Sequence, residues 1–192
     1  AGQTHVLELR TEPLEVVRIA IIGLGMRGQE AVRRLSYLSE VEIVALVDVV
    51  PASIEKAQET LEKMGRPAAD EYLGAESWKE VCERDDIDLI YNCAHWDLHA
   101  PVAIYAMEQG KHVACEVPAA MTLDEIWDVV NTAERTQLHC MQLENCVYDF
   151  FELTTLNMAR IGYLANTPEE FKRRVRELME LAREICDEKR KV

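Results

Sequence analysis

The sequence predicts an α/β fold: a doubly wound, mostly parallel Rossmann sheet with helices on both faces, followed by a C-terminal amphipathic helix. Three observations predict it. Short, almost wholly apolar runs alternate with stretches of helical periodicity, a pattern that demands parallel strands joined by right-handed crossovers. The apolar runs do not alternate with polar residues, as befits strands covered on both faces. Gly23-Leu24-Gly25-Met26-Arg27-Gly28 falls at the first strand-to-helix junction.

Residues 1–15 read as an irregular extension, with Pro13 breaking any helix. Val17–Ile22 is a buried strand. Met26–Leu38 is a helix with Ala31, Val32, Leu35 and Leu38 on one face. Val41–Val47 is a second strand ending at Asp48, and Pro51 opens a helix that Gly65 closes after Met64. A variable stretch precedes a short helix at Ser77–Glu83. Asp88–Cys93 is a third strand, and His99–Gln109 a helix stopped by Gly110. His112–Cys115 is a strand. Thr122 caps a helix through Arg135, with Asp124 and Glu125 in its first turn. Leu138–Leu143 is a further strand and residues 147–160 a helix. The Rossmann domain is therefore expected over residues 16–165.

Residues 166–192 differ in character. Thr167-Pro168-Glu169-Glu170 combines a cap, a proline at the first helical position and a glutamate placed for a capping box. Phe171, Val175, Leu178, Ala182 and Ile185 then recur at helical spacing among charged residues. Every local cue agrees, a regularity that reads either as an engineered helix or as a well-capped native one.

Bulk properties narrow the partners. A net charge of −14 over 192 residues repels nucleic acid. No apolar run reaches the roughly 18 residues needed to span a bilayer, and no membrane partner is expected. The sequence shows no charged-then-apolar leader, so a soluble protein of either the bacterial cytoplasm or the periplasm is expected. The six cysteines lack metal-type spacing and read as small buried thiols; no metal site is expected.

A Gly-x-Gly-x-x-Gly motif is weak alone, but here a strand precedes it, a helix follows, and an acid stands about 20 residues on. Gly23 permits the tight turn, Gly25 admits the pyrophosphate, and Gly28 lets helix and strand pack closely. Asp48 is placed to accept hydrogen bonds from the adenosine ribose, and its charge repels a 2′-phosphate. The cofactor expected is NAD. Arg27 either supports the phosphates or is a solvated helix residue.

Ala106-Met107-Glu108-Gln109-Gly110-Lys111-His112-Val113, followed by Cys115-Glu116-Val117-Pro118, resembles the Gfo/Idh/MocA family. Most members carry a catalytic lysine where Val117 stands, and valine cannot move a proton. Three segments are similar to glycoside hydrolase family 109, the NAD-dependent α-N-acetylgalactosaminidases: Trp96-Asp97-Leu98-His99, Glu116-Val117 and Met141–Tyr148. The resemblance implies that NAD stays bound while the sugar is transiently oxidised at C3, loses its glycosidic group by elimination, takes up water and is reduced again. It implies that Met26, Arg27, Asp48, Trp96, Asp97, Leu98, His99, Glu116, Val117 and Asn145 line NAD. His99 has a rival role as a helix cap, and Trp96 as a cover for the sheet. Glu144 and Tyr148 are implied as sugar-facing catalytic residues.

Family members carry a second, mainly β domain that builds most of the sugar pocket, and residues 161–192 offer no room for it. The chain is thus expected to bind NAD with little or no glycosidase activity. An active glycosidase or sugar oxidoreductase with a site shared between subunits, and an assembly scaffold, are the competing readings. A homo-oligomer through the tail helix or an exposed sheet surface is compatible with each.

Overall fold

The computed structural model describes residue 6, residues 9–160 and residues 173, 176 and 177. It divides into two compact units, Ala1–Leu143 and Glu144–Val192.

The first unit holds one parallel sheet of six strands in the order β3-β2-β1-β4-β5-β6. In chain order the elements are β1 (Val17–Ile22), α1 (Met26–Leu35), β2 (Val41–Asp48), α2 (Pro51–Lys63), β3 (Asp70–Leu73), α3 (Ser77–Cys82), β4 (Leu89–Asn92), α4 (His99–Glu108), β5 (His112–Glu116), α5 (Leu123–Thr136) and β6 (Cys140–Leu143). A 3-10 turn, Trp96–Leu98, leads into α4. The doubly wound α/β class expected from the sequence is the one observed. The strand order reverses between β1 and β4, so the loops after these two strands part and leave a crevice at the sheet's carboxyl edge.

The core has two layers, one on each face of the sheet. Ile19, Ile21, Val32, Leu46, Ile54 and Leu61 pack between the sheet and helices α1 and α2. Ala20, Val47, Val81, Ile90, Val102 and Met107 fill the opposite face beneath α3 and α4. Alternate residues of β1 point to opposite layers, so both faces are covered and the strand reads as continuous apolar sequence.

Three polar devices fix the frame. Arg18 grips Asp88 with two side-chain hydrogen bonds, Nε–Oδ2 at 3.0 Å and Nη2–Oδ1 at 2.8 Å, joining β1 to the turn before β4. Thr122 and Glu125 form a reciprocal capping box at the start of α5, with Glu125 N–H donating to Thr122 Oγ1 at 3.2 Å and Thr122 N–H to Glu125 Oε2 at 2.9 Å. At the β5–β6 entry, His139 N–H donates to His112 Nδ1 at 3.0 Å.

That last bond requires an unprotonated Nδ1. Burial, and then the neighbouring His139, push the His112 pKa below its ordinary value, against a smaller opposing pull from Asp88. A histidine whose folded pKa is depressed stabilises the fold fully above its unfolded pKa of about 6.5 and progressively less as pH falls. Unfolding in urea is therefore expected to show stability dropping from about pH 7.5 to about pH 5.5, over the range where an unfolded histidine gains its proton. His112→Gln should flatten that part of the curve; an unchanged slope would remove His112 as its source.

One expected helix shortens and one strand is new. α1 ends at Leu35, and Ser36 turns its Oγ–H onto the Val32 carbonyl at 2.7 Å, three residues earlier than the apolar periodicity suggested. β3 was not anticipated at all. Asp70-Glu71-Tyr72-Leu73 is an edge strand with three exposed residues, so it lacks the apolar signature of its neighbours.

The second unit holds a 3-10 turn, Asn145–Tyr148, and α6 (Phe150–Arg160). The expected tail helix lies outside the described residues except for Arg173, Arg176 and Glu177, which are helical. Arg173 and Glu177 form an ion pair at 2.8 Å.

Cys82 and Cys115 are buried, and Cys93 and Cys140 half-buried, all as free thiols. Burial pushes the first three up to about 12 and Cys140 to about 11, which keeps them protonated and unreactive.

Candidate functional site

The crevice is organised by the loop between β1 and α1. Gly23 leaves β1 with φ +83°, and a Cβ there would lie 2.5 Å from the Cys93 carbonyl oxygen. Its N–H donates to Val47 O at 2.9 Å, which stitches the loop to β2. A Cβ on Gly28 would sit 2.0 Å from the Gly23 carbonyl oxygen, so the first turn of α1 rests directly on the loop backbone. Gly25 differs: nothing lies within 4 Å of the position its Cβ would take. It caps α1 without a side-chain bond, and the first turn of α1 carries no acid. The result is an open approach to a helix N-terminus whose leading N–H groups lack intrahelical partners, the arrangement that binds phosphate.

Asp48, at the end of β2, holds this loop in place. Its Oδ2 accepts from Leu24 N–H at 2.6 Å, and its Oδ1 accepts from Val50 N–H at 2.8 Å. A carboxylate has about four acceptor positions, and these two bonds use two of them.

Arg27 pairs with Glu116 across the crevice, Nη2 to Oε2 at 3.1 Å. Glu116 ends β5 and is only 5% exposed. The pairing holds the Arg27 guanidinium above its usual pKa. Arg27 is thus linked from the first turn of α1 to the end of β5, an ion pair that neither expectation for it included. Tyr91 and Cys93 lie within the electrostatic reach of this pair, each pushed up to about 12, chiefly by burial.

The loop after β4 carries the next group. Asn92 is fully buried and ties the loop together: its Oδ1 accepts from Ala94 N–H at 3.1 Å, and its Nδ2 donates to Leu98 O and His99 O, both at 3.3 Å. Sequence reasoning missed Asn92; a polar residue closing an apolar run was the available signal. His99 is 1% exposed. Its Nδ1 lies 2.6 Å from Pro118 O and its Nε2 3.0 Å from Ala94 O. Each ring nitrogen thus faces a backbone carbonyl, an imidazole with one N–H donates to one of the two, and the ring straps the β4 loop to the turn after β5. Within that turn the Val117–Pro118 peptide is cis and Val117 is half-buried. Trp96 stands 56% exposed, and Met26 and Asp97 are exposed as well. Leu98 is half-buried and lines a groove with Gly23, Gly25, Val47, Asp48 and Trp78.

The first unit therefore brings together Gly23, Gly25, Gly28, Arg27, Asp48, His99 and Glu116. Glu144, Asn145 and Tyr148 belong to the second unit. There Glu144 Oε1 caps the 3-10 turn by accepting from Cys146 N–H at 3.1 Å, and Asn145 is exposed. Among the described residues no group of three or more His, Cys, Asp or Glu side chains could hold a metal, and no helix is long and apolar enough to cross a membrane.

A parallel sheet with a strand-order reversal, an open glycine loop at a helix start and an acid at the end of β2 define a dinucleotide-binding domain. The chain belongs to the Gfo/Idh/MocA oxidoreductase family, whose NAD-binding Rossmann fold matches residues 17–143. A glycosyl hydrolase family 109 protein of Porphyromonas gingivalis is 61% identical over 163 residues, which cover 84% of this chain and 35% of the relative. An alpha-N-acetylgalactosaminidase of Bacteroides fragilis is 54% identical over 161 residues, 84% of this chain and 38% of that protein. The chain thus spans just over a third of the length of these relatives. In solved structures, the fold matches a myo-inositol 2-dehydrogenase of Lactobacillus plantarum with a TM-score of 0.67 at 24% identity, over 78% of this chain and 42% of that one. A scyllo-inositol dehydrogenase of Lactobacillus casei, with bound NAD(H) and scyllo-inositol, matches with a TM-score of 0.67 at 19% identity, again over 78% and 42%.

The residues present fit NAD. Gly25 leaves open the space that a pyrophosphate needs, the groove beside it is mainly apolar, and Asp48 stands at its mouth.

Proposed function

We propose that this chain is the cofactor-binding portion of an NAD-dependent α-N-acetylgalactosaminidase, and that residues 1–192 alone bind NAD with little or no glycoside turnover. The observation that carries the cofactor half is Asp48, whose carboxylate is wired to Leu24 N–H at 2.6 Å while keeping acceptor capacity at the groove mouth. The substrate half is supported by 61% and 54% identity to the two relatives named above.

Bound NAD supplies hydride acceptance and return. The chain's own residues seat and orient it. Backbone N–H groups at the start of α1 face the pyrophosphate, and Asp48 accepts from the ribose and disfavours a 2′-phosphate. The Arg27–Glu116 pair and the His99 strap fix the two loops on either side. On this reading Trp96, Asp97, Leu98 and Val117 complete the cofactor surroundings in the first unit; of the second unit's residues, the family resemblance implies Asn145 for the cofactor and Glu144 with Tyr148 for the sugar.

Calorimetric titration of the 192-residue chain is expected to show one NAD site, with NADP at least about tenfold weaker, a difference of ~1.4 kcal/mol. A chromogenic α-N-acetylgalactosaminide should be released no faster than in buffer with NAD. Equal affinity for both cofactors would remove the proposed role of Asp48. Turnover abolished by Glu144→Ala would show instead that residues 1–192 carry a working sugar site.

A further inference from the structure

The groove beside the glycine loop has two walls. Asp48, Val49 and Gly74 form one, from β2 and the turn after β3; Ala94, His95 and Leu98 form the other, from the loop after β4. Two aromatic rings occur among its described lining residues. Trp78 is 6% exposed and belongs to the core. His95 stands at the rim with its side chain 85% exposed.

An exposed imidazole is ordinarily free to turn, but this one is held. Its Nδ1 lies 2.7 Å from Asp97 Oδ1. Its backbone is held on both sides as well. Ala94 N–H donates to the buried Asn92, and the His95 carbonyl accepts from Leu98 N–H at 2.9 Å. A surface pair of this kind contributes little to folding, so the fold does not need the ring oriented. The pair thus holds an aromatic ring at a residue that lines the groove from the loop after β4, while Asp48 lines it from the end of β2.

We propose that His95 is a recognition residue for the purine of the cofactor. Its imidazole stacks on the base that enters between the two walls. Asp97 is a positioning residue that fixes the plane of the ring through Nδ1. The proposal rests on the NAD reading and deepens it, since it assigns the adenine end to a side chain outside the glycine motif.

The test titrates the 192-residue chain with NAD and with ADP-ribose, which keeps the purine and lacks the nicotinamide. His95→Ala is expected to weaken both ligands by the same factor, at least about fivefold, the size that alanine substitution of a base-stacking ring produces. His95→Phe keeps a flat face and should stay within about twofold of wild type by the same stacking argument. Asp97→Ala should fall between them, and Asp97→Asn, which still accepts from Nδ1–H, should restore binding. Thermal midpoints of all four should match wild type, which separates recognition from structural damage. Unchanged NAD affinity in His95→Ala overturns the proposal. So does a His95→Phe chain as weak as the alanine variant, or a loss confined to NAD. A wild-type chain that binds neither ligand overturns the cofactor reading, and this proposal with it.

Discussion

Gly28→Ala is expected to cost about 3 kcal/mol of stability or more, above the usual range for one extra methyl in a packed core. The added Cβ would meet the Gly23 carbonyl oxygen at 2.0 Å. Both sides of that clash are backbone, so no side chain can swing away. Either α1 lifts off the sheet or the loop from Gly23 moves, and Gly23 cannot easily move, because it is tied to Val47 O and crowded by Cys93. Urea unfolding measures the loss. NAD affinity should fall at least about a hundredfold, ~2.7 kcal/mol, because the displaced turn is the one that faces the phosphates. An alanine variant that retains wild-type stability would mean that the helix and loop are not in direct contact.

His99→Ala should have the next largest effect, about 3 kcal/mol. It removes a buried ring, and with it the hydrogen bond the ring gives to one of the two carbonyls it faces, those of Ala94 and Pro118. The damage is directional. The loop after β4 and the turn after β5 lose their common tether, so NAD affinity is expected to drop about tenfold, ~1.4 kcal/mol, in the fraction that stays folded. His99→Gln, with one donor-bearing amide, should recover part of the stability. A ring that contacted the cofactor directly would instead give a large affinity loss at unchanged stability, and that pattern would defeat the tether assignment.

Most of this architecture was legible in the residues. β1, β2, β4 and β5 are read directly because each is buried on both faces. The glycine loop is read because three glycines fall at fixed spacing, two of them where a Cβ would collide with backbone and Gly25 where the space is left open. Asp48 was legible as a position, but its grip on Leu24 N–H was not, since that partner lies 24 residues away in sequence. The same limit hid the strap at His99. Its partners are carbonyls, which every residue carries, and only the folded chain shows which two come within reach. Arg27 is the reverse case: its solvent-facing sequence context concealed a partner 89 residues on, at the end of β5. β3 escaped because an edge strand needs little apolar content, and Asp70 and Glu71 are what such an edge tolerates.

The double duty of Asp48 has a consequence for how cofactor preference can change. On the proposed reading, exchange of the acid for a neutral residue lifts the repulsion of a 2′-phosphate, but the same exchange removes at least one of the two oxygens that hold Leu24 N–H and Val50 N–H. A switch to the phosphorylated cofactor therefore cannot proceed by one substitution without loosening the seat it is meant to refit. Two coordinated changes are required, one to welcome the new charge and one to re-anchor the loop. That linkage makes NAD use at this position a trait held in place by the fold as well as by the ligand.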